Sequence, residues 1–148
     1  MSNHNDLMSA EIDQLATALA KAQAEMNIAA KNQKNPFFKS SYADFQAIIQ
    51  ASRPALCKYG LSVVQSPCIL QDLANGGSEN SYLVTMLMHS SGQWIRSMAK
   101  YNPPKNDIQS LASYNTYLKR MCYASLVGVV AGDDDDGEAA VAHTRSNI

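Results

Sequence analysis

Residues 81–101 read SYLVTMLMHSSGQWIRSMAKY, and this stretch decides the fold. Two runs with a two-residue period, Ser81–His89 and Gln93–Tyr101, flank a short Ser-Ser-Gly connection. The glycine can adopt the positive φ that a tight turn requires, so the sequence predicts a β-hairpin. Side chains alternate along a strand. One face of the second strand is therefore expected to carry Trp94, Arg96, Met98 and Lys100.

A third strand is predicted directly before this hairpin, over Leu61–Leu70, where the apolar period is also two. Pro67 cannot donate a ladder hydrogen bond, so this strand is expected at an edge of the sheet or with a bulge. The stretch Asp72–Asn80 contains Asn-Gly-Gly and is predicted to be a mobile loop. Pro54, further upstream, is expected to kink or split the helix in which it lies.

Two helices are predicted upstream of the strands. Apolar residues recur at three- and four-residue spacing over residues 9–30, with Ser9 as the N-cap. After a polar connector, Ser41 is expected to cap a second helix, with Asp44 favourable in its first turn. Gly60 is suited to end that helix in a left-handed conformation.

A third, longer helix is predicted after the hairpin, from a cap at Asp107 to about Val127, ended by Gly128 or Gly132. The order α-α-β-β-β-α then predicts an α+β domain with an antiparallel three-stranded sheet backed by helices. The expected division is a core domain over residues 1–132 and a flexible acidic tail over residues 133–148.

Several classes of function are excluded or disfavoured by composition. No run approaches the roughly 20 apolar residues of a membrane span, and the polar N-terminus is no secretory signal. The three cysteines are odd in number and widely spaced, as in reduced cytoplasmic proteins. Neither a P-loop nor a metal-ligand spacing is present, so we expect no enzyme, no cofactor and no resident metal.

Charge is unevenly distributed along the 148 residues, whose net charge is −1. Residues 1–30 carry −3, residues 31–120 carry +6 and residues 121–148 carry −4. A basic middle between acidic ends suggests a site for a polyanion, with ordinary surface charge as the alternative.

The predicted third helix carries a polar stripe about 100° wide when drawn at 100° per residue. It consists of Gln109, Ser113, Thr116, Tyr117 and Arg120. Amide, hydroxyl and guanidinium groups bind phosphate oxygens, and phenol rings stack on bases. The alternative is a solvated helix face. Leu111, Leu118, Cys122, Ser125 and Val129 are expected on the opposite, apolar side.

Basic residues also alternate with aromatic ones elsewhere in the chain, a pattern typical of single-stranded nucleic-acid binding. Some of these aromatic residues must build the core, and Trp94, the single tryptophan on a predicted strand, is expected to be structural. The remaining candidates for DNA contact are Lys39, Tyr42, Arg96, Lys100, Lys105 and Lys119.

The acidic run Asp133–Asp136 lacks the alternate spacing of a calcium loop, so a solvated tail is the favoured interpretation. Two alternatives remain. The carboxylates could compete with DNA for the basic surface, or they could serve a metal-dependent nuclease.

Five segments, in order, resemble the ERF (essential recombination function) family of phage single-strand annealing proteins. They are Asn35–Phe45 (NPFFKSSYADF), Arg53–Gln65, Thr85–Trp94, Gln109–Arg120 and Asp134–Gly137. In the fourth segment Thr116, Tyr117 and Arg120 match the family pattern. Ala112, Tyr114, Asn115 and Lys119 depart from it, and so does Met121 directly after the segment, so an aromatic contact at position 121 does not carry over.

The resemblance implies annealing of complementary DNA strands without ATP, by rings or filaments of a core similar to that of eukaryotic recombination mediators. The implied partners are single-stranded DNA, further copies of the chain, and a phage exonuclease or host single-strand binding protein, in the cytoplasm of a bacterial host. The alternative is a protein that protects single strands without annealing them.

Overall fold

The computed structural model of the chain describes residues 6–37, 41–72 and 76–131. Its elements are α1 Asp13–Glu25, β1 Gln33–Lys34, β2 Ser41–Tyr42, α2 Phe45–Lys58, β3 Leu61–Asp72, β4 Ser78–His89, β5 Trp94–Lys100 and α3 Ile108–Val127. The predicted α+β class, with three helices and an antiparallel three-stranded sheet, is confirmed. Strand β1 lies inside the predicted polar connector, residues 31–40, and β2 follows directly after it.

Strand β4 lies at the centre of the sheet, with β3 and β5 on either side of it. Thr85 is opposite Gln65 on β3 and Ser97 on β5, so these side chains share one face. This face packs against the helices, and Leu83, Thr85 and Leu87 on it are at most 1% exposed. Strand β3 forms one edge, as Pro67 predicted, and it extends two residues beyond Leu70.

The other edge, β5, is partly covered by the N-terminal segment. The Ser9 amide donates to the Trp94 carbonyl at 2.9 Å, and the Arg96 amide donates to the Leu7 carbonyl at 2.8 Å. The Ser9 hydroxyl oxygen accepts from the Trp94 amide at 3.0 Å. The prediction that Ser9 caps the first helix is therefore wrong, because the sheet edge engages it before the helix begins.

Helix α1 begins at Asp13, and Ile12 before it supplies no side-chain cap. Gln93, in the turn between β4 and β5, takes that role: its Oε1 accepts from the Leu15 amide at 2.9 Å. Its Nε2 donates to Asp13 Oδ1 at 2.8 Å. One buried glutamine therefore satisfies the helix terminus and fixes α1 on the sheet.

Helix α2 is capped by Asp44, whose Oδ1 accepts from the Ala47 amide at 2.8 Å. The predicted cap, Ser41, instead belongs to β2. Pro54 does not split the helix, which continues through it from Phe45 to Lys58. Gly60 ends it with φ of 74°, as predicted.

Helix α3 is capped by Asp107 and ended by Gly128 with φ of 83°, as predicted. Its C-terminal half is covered by α2, where the Tyr123 hydroxyl lies 2.8 Å from the Ser52 hydroxyl. The placement of Ser125 on the apolar side is wrong, because this exposed side chain donates to its own helix at the Met121 carbonyl.

Candidate nucleic-acid interface

The polar stripe of α3 lies on the exposed first three turns of the helix. Gln109, Ser113, Thr116 and Tyr117 are exposed, and Arg120 is half-buried. Further along the same side, Tyr123 and Val127 are 2% and 0% exposed, because α2 packs there. The stripe is therefore accessible only in the N-terminal part of the helix, and Arg120 lies where it meets the core.

Two tyrosine rings contact the Arg120 guanidinium. Its Cζ lies 4.8 Å from the centre of the Tyr42 ring and 5.5 Å from that of Tyr117. Both distances are within the range of a cation–π interaction. The rings remain accessible, at 39% exposed for Tyr42 and 52% for Tyr117. The arrangement therefore holds a cation in place beside two ring surfaces on which bases can stack.

Tyr42 reaches Arg120 because the β1–β2 hairpin is fixed at its base. The Asn32 amide donates to the Tyr42 carbonyl at 3.1 Å. The Asp44 amide donates to Asn32 Oδ1 at 3.0 Å, and Gln33 Nε2 donates to Asp44 Oδ2 at 3.3 Å. These bonds tie the hairpin to the start of α2, and so define the position of the Tyr42 ring.

Asp44, the N-cap of α2, is close enough to Arg120 for their charges to interact. The Ala47 amide hydrogen bond holds the pKa of the Asp44 carboxyl below its usual value, and the side chains of Asn32 and Gln33 and the Arg120 charge act in the same direction. The ion pair found within the described ranges joins Lys58, at the far end of α2, to Glu25 at the end of α1. Arg120 is thus near a carboxylate without a close salt bridge to it, and Asp107 serves as a helix cap instead.

Arg96 and Lys100 lie elsewhere, on the face of β5 that is opposite to α3. As predicted, they share that face with Trp94 and Met98. The Arg96 guanidinium lies 5.2 Å from the Trp94 ring, and its Nε donates to the Asp6 carbonyl at 2.7 Å. The structure therefore separates the candidate residues into two groups rather than bringing them into one groove.

The other candidates occupy a variety of positions. Lys105 is exposed in the connection between β5 and α3, and Lys119 is half-buried on α3, where its carbonyl accepts from Gln65 Nε2 at 3.0 Å. Lys39 and the acidic run Asp133–Asp136 lie outside the described residues.

The hairpin was missed because its strands are two residues long, too short for alternation to be visible. The available signal was the Asn-Pro dipeptide at positions 35 and 36, which marks a turn. Tyr114, on the same helix as Tyr117, packs against the end of β5. Its ring packs edge-on against Tyr101 at 5.2 Å, and its hydroxyl accepts from the Asn102 amide at 3.2 Å.

Within residues 6–37, 41–72 and 76–131, no three His, Cys, Asp or Glu side chains are grouped so that they could hold a metal ion. In the same part of the chain, every helix is too short or too polar to cross a bilayer.

With this geometry established, comparison with known proteins defines the class. The ERF superfamily model matches residues 15–147, nearly the whole chain. The protein therefore belongs to the ERF superfamily. No curated protein and no solved structure matches it.

Proposed function

We propose that the protein binds single-stranded DNA and anneals complementary strands without ATP, in phage-type homologous recombination. Membership of the ERF superfamily supports this function. The observation that carries it is the Arg120 guanidinium held against the Tyr42 and Tyr117 rings at the exposed end of the α3 stripe. We also propose that the core shares its architecture with eukaryotic recombination mediators.

Annealing follows from what these groups bind. Cations and hydroxyls that contact phosphates leave the edges of the bases free to pair, and pairing supplies the free energy. Phosphate contacts also release counterions from the strand, which favours binding of any sequence. No nucleotide hydrolysis is needed, and the role is not that of an enzyme.

A single subunit offers a short track for DNA, so we propose that copies assemble into rings or filaments. Repetition of a modest site gives high avidity without any new contact. A phage exonuclease or a host single-strand binding protein in the bacterial cytoplasm would supply or coat the strands. Light scattering with and without single-stranded DNA tests assembly, and a strict monomer under both conditions would contradict it.

The function is tested by mixing two complementary oligonucleotides with the protein in the absence of ATP. Duplex should form faster with the protein than without it. Arg120→Ala should slow this reaction, whereas Lys21→Ala, which removes an exposed charge from α1, should not. A protective protein that does not anneal would bind the strands and leave the rate of duplex formation unchanged or lower.

The acidic run Asp133–Asp136 is proposed as a competitor of DNA or a subunit contact. Truncation after Gly132 should leave labelled DNA intact and should tighten binding or alter assembly. Shortening of the DNA that requires Mg²⁺ and disappears on truncation would instead identify a nuclease.

A further inference from the structure

The β1–β2 hairpin has two features that play no part in the α3 site: a local excess of positive charge and an exposed aromatic side chain. No Asp or Glu occurs between Glu25 and Asp44, whereas this interval contains three lysines. Lys34, in β1, is exposed. Phe37, just beyond β1, is 88% exposed, the highest value among the large apolar side chains of the described chain. At this exposure the Phe37 ring offers nearly its whole apolar surface for contact with a ligand.

Phe37 is held in a defined turn. Its amide donates to Asn35 Oδ1 at 2.9 Å, which closes an Asx-turn around Pro36. Asn35 follows β1, and β1 is paired with β2 through Gln33 opposite Tyr42 and Lys34 opposite Ser41. Phe37 is therefore at most about 13 Å along the backbone from Gln33. Phe37 is therefore held on the same hairpin as Tyr42, whose ring contacts the Arg120 guanidinium.

We propose that the hairpin is a second contact element for single-stranded DNA, in which Phe37 stacks on an unpaired base and Lys34 lies beside the phosphates. This inference rests on the proposed function and extends its site from α3 to the hairpin. Aromatic faces bind bases of any identity, and neighbouring cations hold the strand against them.

Nucleic acid fits this surface better than a protein partner does. A stable protein interface buries about 1,200–2,000 Å² around an apolar centre. In the interval between Glu25 and Asp44, Phe37 is accompanied by three lysines and no carboxylate, whereas the centre of a protein interface is depleted of charged residues. Such a surface is complementary in charge to a polyanion. Phe37 also follows β1 on the same hairpin as Tyr42, so we expect one strand to contact both side chains.

The test uses the full chain and an unstructured oligothymidine strand. Phe37→Ala should weaken binding by about 5- to 150-fold, the range found for loss of one stacked base. The slope of log affinity against log salt should not change, because no charge is removed. Ile69→Ala serves as the control, since Ile69 is 67% exposed on β3. This variant should bind as the wild type does.

Phe37→Trp provides a direct readout. It should retain affinity, and its indole fluorescence should be quenched by the DNA. The wild type, whose one tryptophan is Trp94, gives the background signal.

If Arg120→Ala weakens binding while Phe37→Ala does not, the hairpin proposal alone is overturned. If Phe37→Ala reduces only the size of the oligomer, the hairpin contacts a second copy. Wild-type protein that fails to bind the strand overturns both proposals.

Discussion

Two arginines in this protein lie against aromatic rings at similar distances and do different things. Arg96 lies 5.2 Å from the Trp94 ring and donates to the Asp6 carbonyl, so it ties the N-terminal segment to β5. Arg120 lies 4.8 Å from the Tyr42 ring and 5.5 Å from the Tyr117 ring. It joins a hairpin to the exposed part of α3.

The comparison shows that an arginine next to aromatic residues in sequence can be held in two different ways. The decisive difference is the second partner. A backbone carbonyl fixes Arg96 within the fold, whereas the two rings around Arg120 are exposed surfaces of the site. We therefore propose that Arg96 contributes to stability and Arg120 to DNA binding, and the following changes separate the two roles.

The largest expected effect is on stability, from Arg96→Ala. This change removes a hydrogen bond between a charged group and a half-buried partner, which typically contributes about 1.5–3 kcal/mol. Denaturant unfolding should show a loss in that range, and hydrogen exchange should increase at residues 7–9. Affinity for single-stranded DNA should be unchanged. A loss of affinity without loss of stability would place Arg96 in the DNA site.

The next effect concerns a stacking surface. Tyr117→Ala should weaken binding of single-stranded DNA by about 1–3 kcal/mol, if one base stacks on the ring. Tyr117→Phe keeps the ring and removes the hydroxyl, so it should bind nearly as the wild type does. Fluorescence anisotropy with a labelled strand measures both. Equal losses in the two variants would show that the hydroxyl, rather than the ring, makes the contact.

A smaller effect concerns Asp44 and depends on pH. The folded state lowers the pKa of this carboxyl, so its contribution to stability is present above the unfolded pKa, near 3.8, and is lost as pH falls through the lowered value. Asn is also a good N-cap. The wild type should therefore be more stable than Asp44→Asn at pH 7, and the difference should shrink below pH about 4. Denaturant midpoints across this range test it.

The same variant gives the smallest effect expected. Removing the Asp44 charge takes away one carboxylate whose charge acts on Arg120, so DNA affinity should rise by a small factor at low salt. Asp107→Asn is the matched control, because Asp107 also caps a helix and also has a lowered pKa. It should change stability in the same direction and leave affinity unaltered. Equal changes in affinity would rule out a specific role of the Asp44 charge.

Sequence patterns predicted those parts of the fold that depend on local chemistry. The two-residue period of residues 81–101, the Asp107 cap and Gly60 at a helix end each act over a few residues, and each was confirmed. Ser9 failed as a cap because a strand that is 85 residues away competes for its hydroxyl. The Gln93 cap of α1 depends on the same long-range packing, so no local pattern could reveal it.

The candidate site was predictable only in part for the same reason. The period of an α-helix correctly places Gln109, Thr116 and Tyr117 on an exposed face. It cannot show that α2 buries the continuation of that face. Nor can it show that a hairpin brings Tyr42, 78 positions earlier in the chain, onto Arg120. Arg96 and Lys100 were grouped with these residues by composition, and strand alternation puts them on the other side of the sheet.

The central claim is that Arg120 contacts phosphate and Arg96 does not. Its most direct test is the slope of log affinity against log salt for single-stranded DNA, measured on wild type, Arg120→Gln and Arg96→Gln, with melting temperature recorded for each. Loss of one phosphate contact should reduce the slope of Arg120→Gln by about one unit and leave that of Arg96→Gln unchanged. An unchanged slope for Arg120→Gln together with a large fall in its melting temperature would contradict the assignment and make Arg120 a structural residue.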